Sequence, residues 1–583
     1  MASDRVYGGR VSGERILVGA LSKLQTDGHV LAKAGAHGVC VFWHEGGAYA
    51  VDDRCPHMGF PLHRGTVEHG LLTCHWHNAR FDLATGDTLD PFADDVRAYP
   101  VVIEGDDVFL VVEPEPDRVA HLQHRLAEGL EQGLTLVTAK AVLGLLETGV
   151  PMADIVRTGV DYGTTYRAQG WGPGLTVLVA MANLLPHLAD DDRALALVHG
   201  LSFVSRDTRN RPPRFPLAPL GADSERAAPH GDRLASWYRR FIDTRSGDAA
   251  ERTLATAIAS GVAEGDVQAM MMASATDHVF LDEGHTLDFT NKAFEAVSLL
   301  GWPAAGSVLP TLVAQTAGAH RHEEDGMWRH PHDLVGLLAQ TTLEYRPAPA
   351  DGFHDVATAA LAWALLADEP RPVVAALVEA ATAGASAEQL GRALALAAAL
   401  RITRFHVQND HGDWDVVHHG FTHANALHQR LAAHPTPELL RGVVAGALRV
   451  YLDRFLNIPA ARLPKATAHP LAALQACWDN QGHVDRAGEI AFGHLSTGGD
   501  PAELIAALGR ALLAEDAEFH WIQTVEAAVR QFHAWPAGSE EGALILAGTA
   551  RFLAANTPTR RELPRVVRIA TRLRRGEELF EER

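Results

Sequence analysis

The chain has 583 residues, of which 47% are hydrophobic and 21% are charged, and its formal net charge is −21. A chain of this length is expected to fold as two or more domains, because single hydrophobic cores stop growing beyond roughly 250–300 residues. The strong negative charge excludes a protein that neutralises nucleic-acid phosphates, whereas it suits solubility and docking onto a basic redox partner.

Short strand patterns fill the first part of the chain. Residues 39–42 and 48–51 are apolar runs separated by a Gly-Gly turn, and residues 101–112 have the pattern of a closing hairpin. These signals predict a small all-β domain over residues 1–112. A Pro-rich, charged linker follows at residues 113–118, before the composition changes.

Two cysteine–histidine motifs lie between those strand patterns. The first is C-x-H, at Cys55 and His57, and after sixteen residues the second is C-x-x-H, at Cys74 and His77. A [2Fe-2S] cluster can be held by two thiolates on one iron and two imidazoles on the other, and the imidazoles raise its potential. Zinc also accepts two cysteines and two histidines, but its usual ligand spacings differ. The motifs therefore predict a protein that moves single electrons.

Residues 15–112 resemble the Rieske ferredoxin family through these four residues and through the segment 81–86 that follows them. The resemblance implies that the two cysteines and two histidines bind a [2Fe-2S] cluster. Asn78 departs from the family, which usually has glycine after the second histidine. Cys40 and Cys477 are the remaining cysteines, so the ligand loops cannot carry the extra disulfide of the respiratory-complex type. The resemblance is therefore to the low-potential ferredoxin and oxygenase types.

Helical patterns replace strand patterns beyond residue 118. Ala- and Leu-rich segments such as 437–455 and 502–513 have apolar residues at three- and four-residue steps. Four segments also share one plan, in which a glycine-led turn precedes two helices; they are residues 149–188, 261–300, 384–431 and 498–532. The chain is therefore predicted to continue as a large all-α domain over residues 119–583, built of internal helical repeats.

Histidine recurs at one position in three of these segments and in a shorter related piece at residues 353–360, followed by a threonine and an Ala-rich helix; in residues 149–188 Thr176 aligns but the histidine is lost. The pairs are His285 with Thr290, His354 with Thr358, His418 with Thr422, and His520 with Thr524. Buried imidazoles are costly without partners, and shared metal ligation would satisfy them together. The alternative is a purely architectural repeat, as in an α-solenoid.

Three further residues extend the candidate metal site. His423 lies one turn after His418, and His199 ends an Ala/Leu helix, where its charge alone would also be favourable. Lys292, one of five lysines, lies in an apolar helix, so it would be neutral, paired or chemically modified if buried there. A snorkelling surface lysine is the alternative.

The recurring histidine, threonine and Ala/Leu helix are similar to the questin-oxidase-like family over residues 150–535. The matching positions are His285, His354, His418 or His423, and His520. This resemblance implies an α-helical, non-haem iron oxygenase that acts on polycyclic aromatic or quinone-like compounds.

A second iron motif competes with this interpretation. Asp415, His418 and His423 form D-x2-H-x4-H, which resembles the mononuclear-iron motif of ring-hydroxylating Rieske oxygenases. The motif falls too far downstream, and helical patterns follow it where that family has a β-rich domain. Both interpretations nevertheless place iron near His418 and His423. Histidines and carboxylates also cluster at residues 320–325, which we interpret as a solvated acidic loop, with metal binding as the alternative.

Taken together, the motifs predict a non-haem iron-dependent oxygenase. Electrons would pass from the [2Fe-2S] cluster to a His-ligated non-haem iron that activates O2 to oxidise an organic, aromatic or quinone-like substrate. One alternative is a redox carrier or sensor on a helical binding scaffold with no second metal. Another is a metal-free site in which the histidines act as acid–base groups.

The sequence also limits the partners and the compartment. No P-loop or dinucleotide fingerprint is present, so we expect electrons from a separate NAD(P)H-dependent reductase or ferredoxin. Few cysteines, no apolar signal core and no run of roughly 18 apolar residues predict a cytoplasmic protein without a membrane span. A homo-oligomer is left open.

Overall fold

The computed structural model describes residues 13–35, 37–112, 117–221, 231–344, 354–410, 412–466, 469–577 and 579. The chain divides into two compact units, one of residues 1–150 with 565–583 and the other of residues 151–564. Residues 113–116 of the predicted linker lie outside the described residues, whereas Asp117 caps a helix that begins at Arg118.

Ten strands form the β part of the first unit within the described ranges. They are β1 Glu14–Ala20, β2 His29–Ala34, β3 His37–His44, β4 Gly47–Asp52, β5 Thr66–Glu68, β6 Leu71–Thr73, β7 Arg80–Asp82, β8 Ala98–Tyr99, β9 Val101–Glu104 and β10 Asp107–Val112. Helix α1, Leu21–Asp27, connects β1 and β2. The strands pair antiparallel in three sheets, in the orders β1-β10-β9, β2-β3-β4-β8 and β5-β6-β7.

Strand β3 separates two hydrophobic cores, because successive side chains of a strand point to opposite faces. Val39 and Val41 pack in the core that contains Val108 of β10. Cys40 and Phe42 pack in the other core, which also contains the cysteines of both ligand motifs. The apolar run at residues 39–42 is therefore a strand covered on both faces, and one of its cores supports the ligand loops.

Backbone geometry explains the segment at residues 81–86 that follows the second motif. Asp82 Oδ1 accepts hydrogen bonds from the N–H groups of Ala84 and Thr85 and closes the turn. Gly86 has φ +82°, and a Cβ there would lie 1.9 Å from the carbonyl oxygen of Val96. Only glycine fits this position.

The first unit continues beyond the predicted β domain as a helical hairpin. Helix α2, Arg118–Gln132, and helix α3, Thr135–Glu147, are joined at Gly133, which adopts a left-handed conformation. Arg125 of α2 donates to the carbonyl oxygen of Ala93 at 2.7 Å and pairs with Asp94 at 3.1 Å. These contacts hold the hairpin against the β part, so the compact unit extends past residue 112.

The second unit is entirely helical in the described part of the chain. Its helices are α4 Met152–Thr165, α5 Pro173–Leu184, α6 Asp190–Thr208, α7 Gly231–Asp243, α8 Gly247–Ala259, α9 Glu264–Thr276, α10 His285–Leu300, α11 Ala305–Val308, α12 Val313–Gly318, α13 Leu334–Gln340, α14 Asp355–Ala364, α15 Pro370–Thr382, α16 Ala387–Thr403, α17 Asp413–Ala433, α18 Pro437–Leu452, α19 Leu474–Asp479, α20 Val484–Ser496, α21 Pro501–Leu513, α22 Phe519–His533 and α23 Glu540–Asn556. Helix α24, Glu562–Arg574, begins in this unit and ends in the first.

Short 3₁₀ helices complete the described secondary structure. They are Leu62–Arg64, Leu185–His187, Leu281–Gly284, Trp302–Ala304, Leu309–Leu312, His322–Glu324, Gly326–Trp328, Asp453–Asn457 and Leu471–Ala473. The structure thus confirms the predicted fold class, a small all-β domain followed by a large all-α region. Within the described ranges, none of the helices combines the length and apolar character needed to cross a bilayer.

The repeated segments correspond to helix pairs. Gly149, Gly261, Gly384 and Gly498 all have positive φ, and a helix begins three residues after each of them, at α4, α9, α16 and α21. The second helices of the four pairs are α5, α10, α17 and α22. Helices α10 and α17 are buried along most of their length although they carry many polar residues. Such residues need partners inside the protein.

Candidate metal centres

The two ligand loops of the first unit have the same backbone geometry. The N–H of Cys55 donates to Phe60 and its carbonyl accepts from Gly59, while the N–H of Cys74 donates to Ala79 and its carbonyl accepts from Asn78. Gly59 and Asn78 therefore occupy equivalent positions, and both have positive φ, +83° and +59°. Asparagine tolerates this conformation better than most residues with a side chain. The departure at Asn78 thus preserves the turn.

The side chains of both loops converge in the first unit. Cys55 and Cys74 are buried and their sulfurs are hydrogen-bonded to each other. That hydrogen bond, together with the N–H groups of Trp76 and His77, lowers the pKa of Cys74 to about 6. The rings of His57 and His77 meet edge to face with centroids 4.9 Å apart. Two thiols and two imidazoles thus lie together, with one thiol already disposed to ionise.

The two histidines of these loops differ in exposure. His77 is exposed, whereas His57 is half-buried. Burial and the charge of Lys140 lower the pKa of His57 to about 4, so its imidazole is neutral at physiological pH. Its Nδ1 is buried and has no hydrogen-bond partner among the described residues. A neutral ring with a free, buried nitrogen suits metal ligation.

An antiparallel β fold with paired cysteine–histidine loops defines an iron–sulfur electron-transfer domain. The family model described as the Rieske [2Fe-2S] domain matches residues 14–100. The ferredoxin subunit of 3-phenylpropionate/cinnamic acid dioxygenase from Photorhabdus laumondii subsp. laumondii is 34% identical over 79 residues, which are 13% of this chain and 75% of that protein. Through this domain the chain belongs to the Rieske [2Fe-2S] family.

Two further similar proteins also match only a short part of the chain. Apoptosis-inducing factor 3 of Homo sapiens is 38% identical over 63 residues, so the match spans 11% of this chain and only 10% of that protein. The solved structure of the ferredoxin of carbazole 1,9a-dioxygenase from Nocardioides aromaticivorans IC177 is 25% identical and covers 17% of this chain and 98% of that chain, with a TM-score of 0.16.

Three histidines converge in the helical unit, one from each of three second helices of the repeats. They are His285 at the start of α10, His419 in α17 and His520 at the start of α22, and one nitrogen of each lies within 4.8 Å of the others. His419 Nε2 and His520 Nε2 are 3.0 Å apart. The rings of His285 and His520 are stacked, with centroids 5.5 Å apart. Three imidazoles at this separation can share one metal ion.

Carboxylates lie beside the Nδ1 atoms of two of the three imidazoles. Glu283 Oε2 lies 2.9 Å from His419 Nδ1, and Asp415 Oδ1 lies 3.7 Å from His520 Nδ1. A carboxylate in this position fixes the orientation of a ligating imidazole and makes it more basic. The third ring, His285, is stacked on Phe289, and its Nδ1 is buried without a partner in the described part of the chain.

The electrostatics of these histidines also suit ligation. Burial and the neighbouring imidazoles lower the pKa of His285 to about 3. Burial likewise lowers the pKa of His520 to about 4. Both rings are therefore neutral at physiological pH, as metal binding requires.

A strained segment just before α10 holds Glu283. Phe280, Asp282 and Glu283 all have positive φ, which is uncommon for residues with a side chain. Contacts to the loop at residues 320–325 hold this segment: Glu283 N–H donates to His322 Nε2 at 3.1 Å, and Asp282 accepts from the N–H of His320 at 2.7 Å. Backbone strain of this kind persists only where surrounding contacts fix it, and it is frequent at functional sites.

The structure brings together two of the histidines named from the sequence, His285 and His520. The others lie elsewhere. His418 accepts from or donates to Thr524 Oγ1 at 2.8 Å, His423 packs on Phe280, His199 lies 3.4 Å from the carbonyl oxygen of Leu513, and His354 is exposed before α14. The sequence interpretation did not include His419. The pair His418-His419 was the signal that could have indicated it. Neighbouring residues of a helix point about 100° apart, however, so the sequence does not tell which of the two faces α10 and α22.

Lys292 belongs to a buried ion-pair network in the same unit, and not to the three-histidine cluster. Its Nζ lies 2.9 Å from Glu295 and 2.6 Å from Glu526, and Arg530 also contacts Glu526 at 2.5 Å. Asn183 of α5 donates to both carboxylates. Although burial alone would raise it, the charges of Lys292 and Arg530 lower the pKa of Glu295 to about 2. The lysine is therefore charged and paired.

Asp288 lies between the histidines and this network. It accepts a short hydrogen bond from Gln523 on α22, three residues after His520, just as Asp288 is three residues after His285. Burial, with a smaller contribution from the carboxylates of Glu295 and Glu526, raises the pKa of Asp288 to about 7 in spite of the charge of Lys292. Helices α10 and α22 thus face each other through a series of polar pairs.

We expect Lys292→Met to destabilise the helical unit by about 3–5 kcal/mol, because the buried carboxylate of Glu295 would lose its nearest cation and that of Glu526 one of its two cations. Urea unfolding followed by circular dichroism measures the change. Lys465→Met, at an exposed position of the same unit, is the control and should stay within about 0.5 kcal/mol of the parent protein. If Lys292→Met lowers the free energy of unfolding no more than Lys465→Met does, Lys292 is not part of a buried ion-pair network.

We expect Asp288→Asn to make stability less dependent on pH. A folded-state pKa near 7, against 3.8 for an ordinary Asp, means that the stability of the parent protein falls as pH rises from about 4 to 7. Asparagine still accepts from Gln523 and cannot ionise. The free energy of unfolding of the variant should therefore equal that of the parent protein at pH 4. At pH 8 it should be higher, by about 1.4 kcal/mol for each unit of the pKa shift.

The measurement is urea unfolding of both proteins at several pH values between 4 and 8. Asp266→Asn, exposed on α9, is the matched control and should track the parent protein throughout. Parallel curves for Asp288→Asn and the parent would mean that Asp288 ionises as easily when folded as when unfolded.

Proposed function

We propose that the chain is a Rieske-fused oxidoreductase with two metal centres. In the first unit, Cys55, His57, Cys74 and His77 hold the [2Fe-2S] cluster that the family implies. In the helical unit, a non-haem iron is held by three imidazoles, and with electrons taken up through the first unit it would activate O2 to oxidise an organic substrate.

One observation supports the second centre: three histidines from separate helices, one buried and two half-buried, converge, and carboxylates lie beside two of them. Without a metal, buried imidazole nitrogens such as His285 Nδ1 lack partners among the described residues, which is costly. A three-imidazole set suits iron and leaves coordination positions for O2 and substrate. The donor atoms present therefore fit the proposed ion.

The side chains around the three histidines have separate roles in this proposal. Glu283 and Asp415 orient the imidazoles of His419 and His520. Phe289 and Phe519 lie against His285 with ring centroids 5.4 and 5.6 Å away, and they keep water from that side of the site. Their aromatic surfaces favour a flat, apolar substrate, in line with the aromatic or quinone-like compounds expected from the resemblance to the questin-oxidase-like family.

The electron donor is a separate protein in this proposal. A relative that matches the first unit is the ferredoxin subunit of a dioxygenase system, and such a subunit works with other components. A reductase that oxidises NAD(P)H, or a ferredoxin that follows it, would reduce the cluster one electron at a time.

A metal-free helical unit is the second candidate, and one contact favours it. His419 Nε2 and His520 Nε2 are 3.0 Å apart, so a single proton shared between them would satisfy both without an ion. The chain would then be a redox carrier or sensor with a helical binding scaffold, or an enzyme that uses these histidines for acid–base chemistry.

Iron content separates the two candidates. With the second centre we expect about three irons per chain in anaerobically purified protein, because a Rieske cluster contributes two. His419→Ala should reduce this to about two, whereas His354→Ala, which replaces an exposed histidine of the same repeat pattern, should leave it unchanged. Elemental analysis gives the count, and the EPR signal of the cluster shows whether the first unit is intact. Two irons in the parent protein, with no other metal, would falsify the second centre.

A further inference from the structure

The helical hairpin of the first unit places one cation beside the ligand loops. Lys140 on α3 donates from Nζ to the carbonyl oxygens of Pro56 and His57, at 2.6 and 2.5 Å. Both carbonyls belong to the C-x-H motif. The residues that match the Rieske family model end at residue 100, so Lys140 comes from outside the matched domain.

The surroundings fix the position of this cation. Arg125 on α2 binds the carbonyl oxygen of Ala93 and the carboxylate of Asp94, and it holds the hairpin in place. Lys140 and Pro56 also border a cavity of about 170 Å³, together with Phe92 and Asp94. The ammonium group is therefore held by the fold and does not move freely in solvent, where its charge would be screened.

We propose that Lys140 is a positioning residue that raises the reduction potential of the centre held by Cys55, His57, Cys74 and His77. The inference rests on the ligand set proposed above. Reduction adds one electron from an external donor, and a fixed positive charge beside the ligands stabilises the more negative, reduced state. Net charge and hydrogen bonding around a cluster are what set its potential.

Three variants of Lys140 separate its charge from its hydrogen bonds. Lys140→Arg keeps a cation and donors, and the adjacent cavity leaves room for the larger guanidinium. Lys140→Gln keeps a donor to the carbonyls but has no charge. Lys140→Met has neither. Lys23→Met, on α1 of the same unit at an exposed position, is the matched control for the loss of a lysine.

The experiment is a redox titration of each full-length protein, followed by the EPR signal of the reduced cluster. We expect Lys140→Gln and Lys140→Met to lower the equilibrium constant for one-electron reduction about tenfold, which corresponds to a potential lower by about 59 mV. Lys140→Arg and Lys23→Met should stay close to the parent protein. An unchanged EPR line shape in the variants shows that the ligands are still in place.

Two results would overturn the inference. If Lys140→Gln titrates like the parent protein while Lys140→Met does not, hydrogen bonding and not charge sets the potential. If neither variant changes the reduction potential more than Lys23→Met does, Lys140 only holds the loop in place. A parent protein without a Rieske-type EPR signal is a different failure, because it would remove the proposed ligand set itself.

Discussion

The cost of burying polar side chains is the constraint on which the helical unit depends. Helices α5, α10, α17 and α22 are surrounded by other helices, yet α10 and α22 carry histidines, carboxylates, a lysine and glutamines on facing sides. Each of these groups loses hydration and must find a partner on a neighbouring helix. Asn183 of α5, for example, reaches both carboxylates that hold Lys292. The pairs therefore fix the rotation and register of the four helices, which apolar packing alone leaves less defined.

The polar pairs between α10 and α22 are neutral near the N-termini of the two helices and charged further along. The helix dipole accounts for this difference. His285 is the first residue of α10, and His520 is the second residue of α22. The N-terminus of a helix carries a partial positive charge, which opposes protonation of these imidazoles. Glu295 and Glu526 lie about two turns further along, where the positive charges of Lys292 and Arg530 balance the two carboxylates. The proposed metal ion would bind at the neutral end, whereas the side chains at the charged end already have partners.

The first unit was predictable from the sequence because its chemistry is local. Each ligand loop spans six residues, and the spacing of Cys and His within it determines the turn, including the positive φ that Asn78 shares with Gly59. The repeats were also visible, since a glycine three residues before each first helix is a local signal. The members of the three-histidine cluster were not, because rotation of α17 decides between His418 and His419, and the partner of Lys292, Glu526, is 234 residues away. His354 matches the repeat pattern, but its side chain is exposed. The spacing of histidine and threonine on which that match rests does not tell which copies of the repeat are buried.

The groups behind the two proposed centres have opposite charges, and this bears on the direction of electron flow. Lys140 lies behind the ligand loops of the first unit and favours uptake of an electron there. Glu283 and Asp415 lie behind the imidazoles of the helical unit and stabilise the more highly charged state of a metal bound there. In the proposed function, O2 would supply the driving force for electron transfer at the second site. The same carboxylates would also orient the imidazoles of a metal-free site, so the iron content of the protein decides between the oxygenase and the redox carrier.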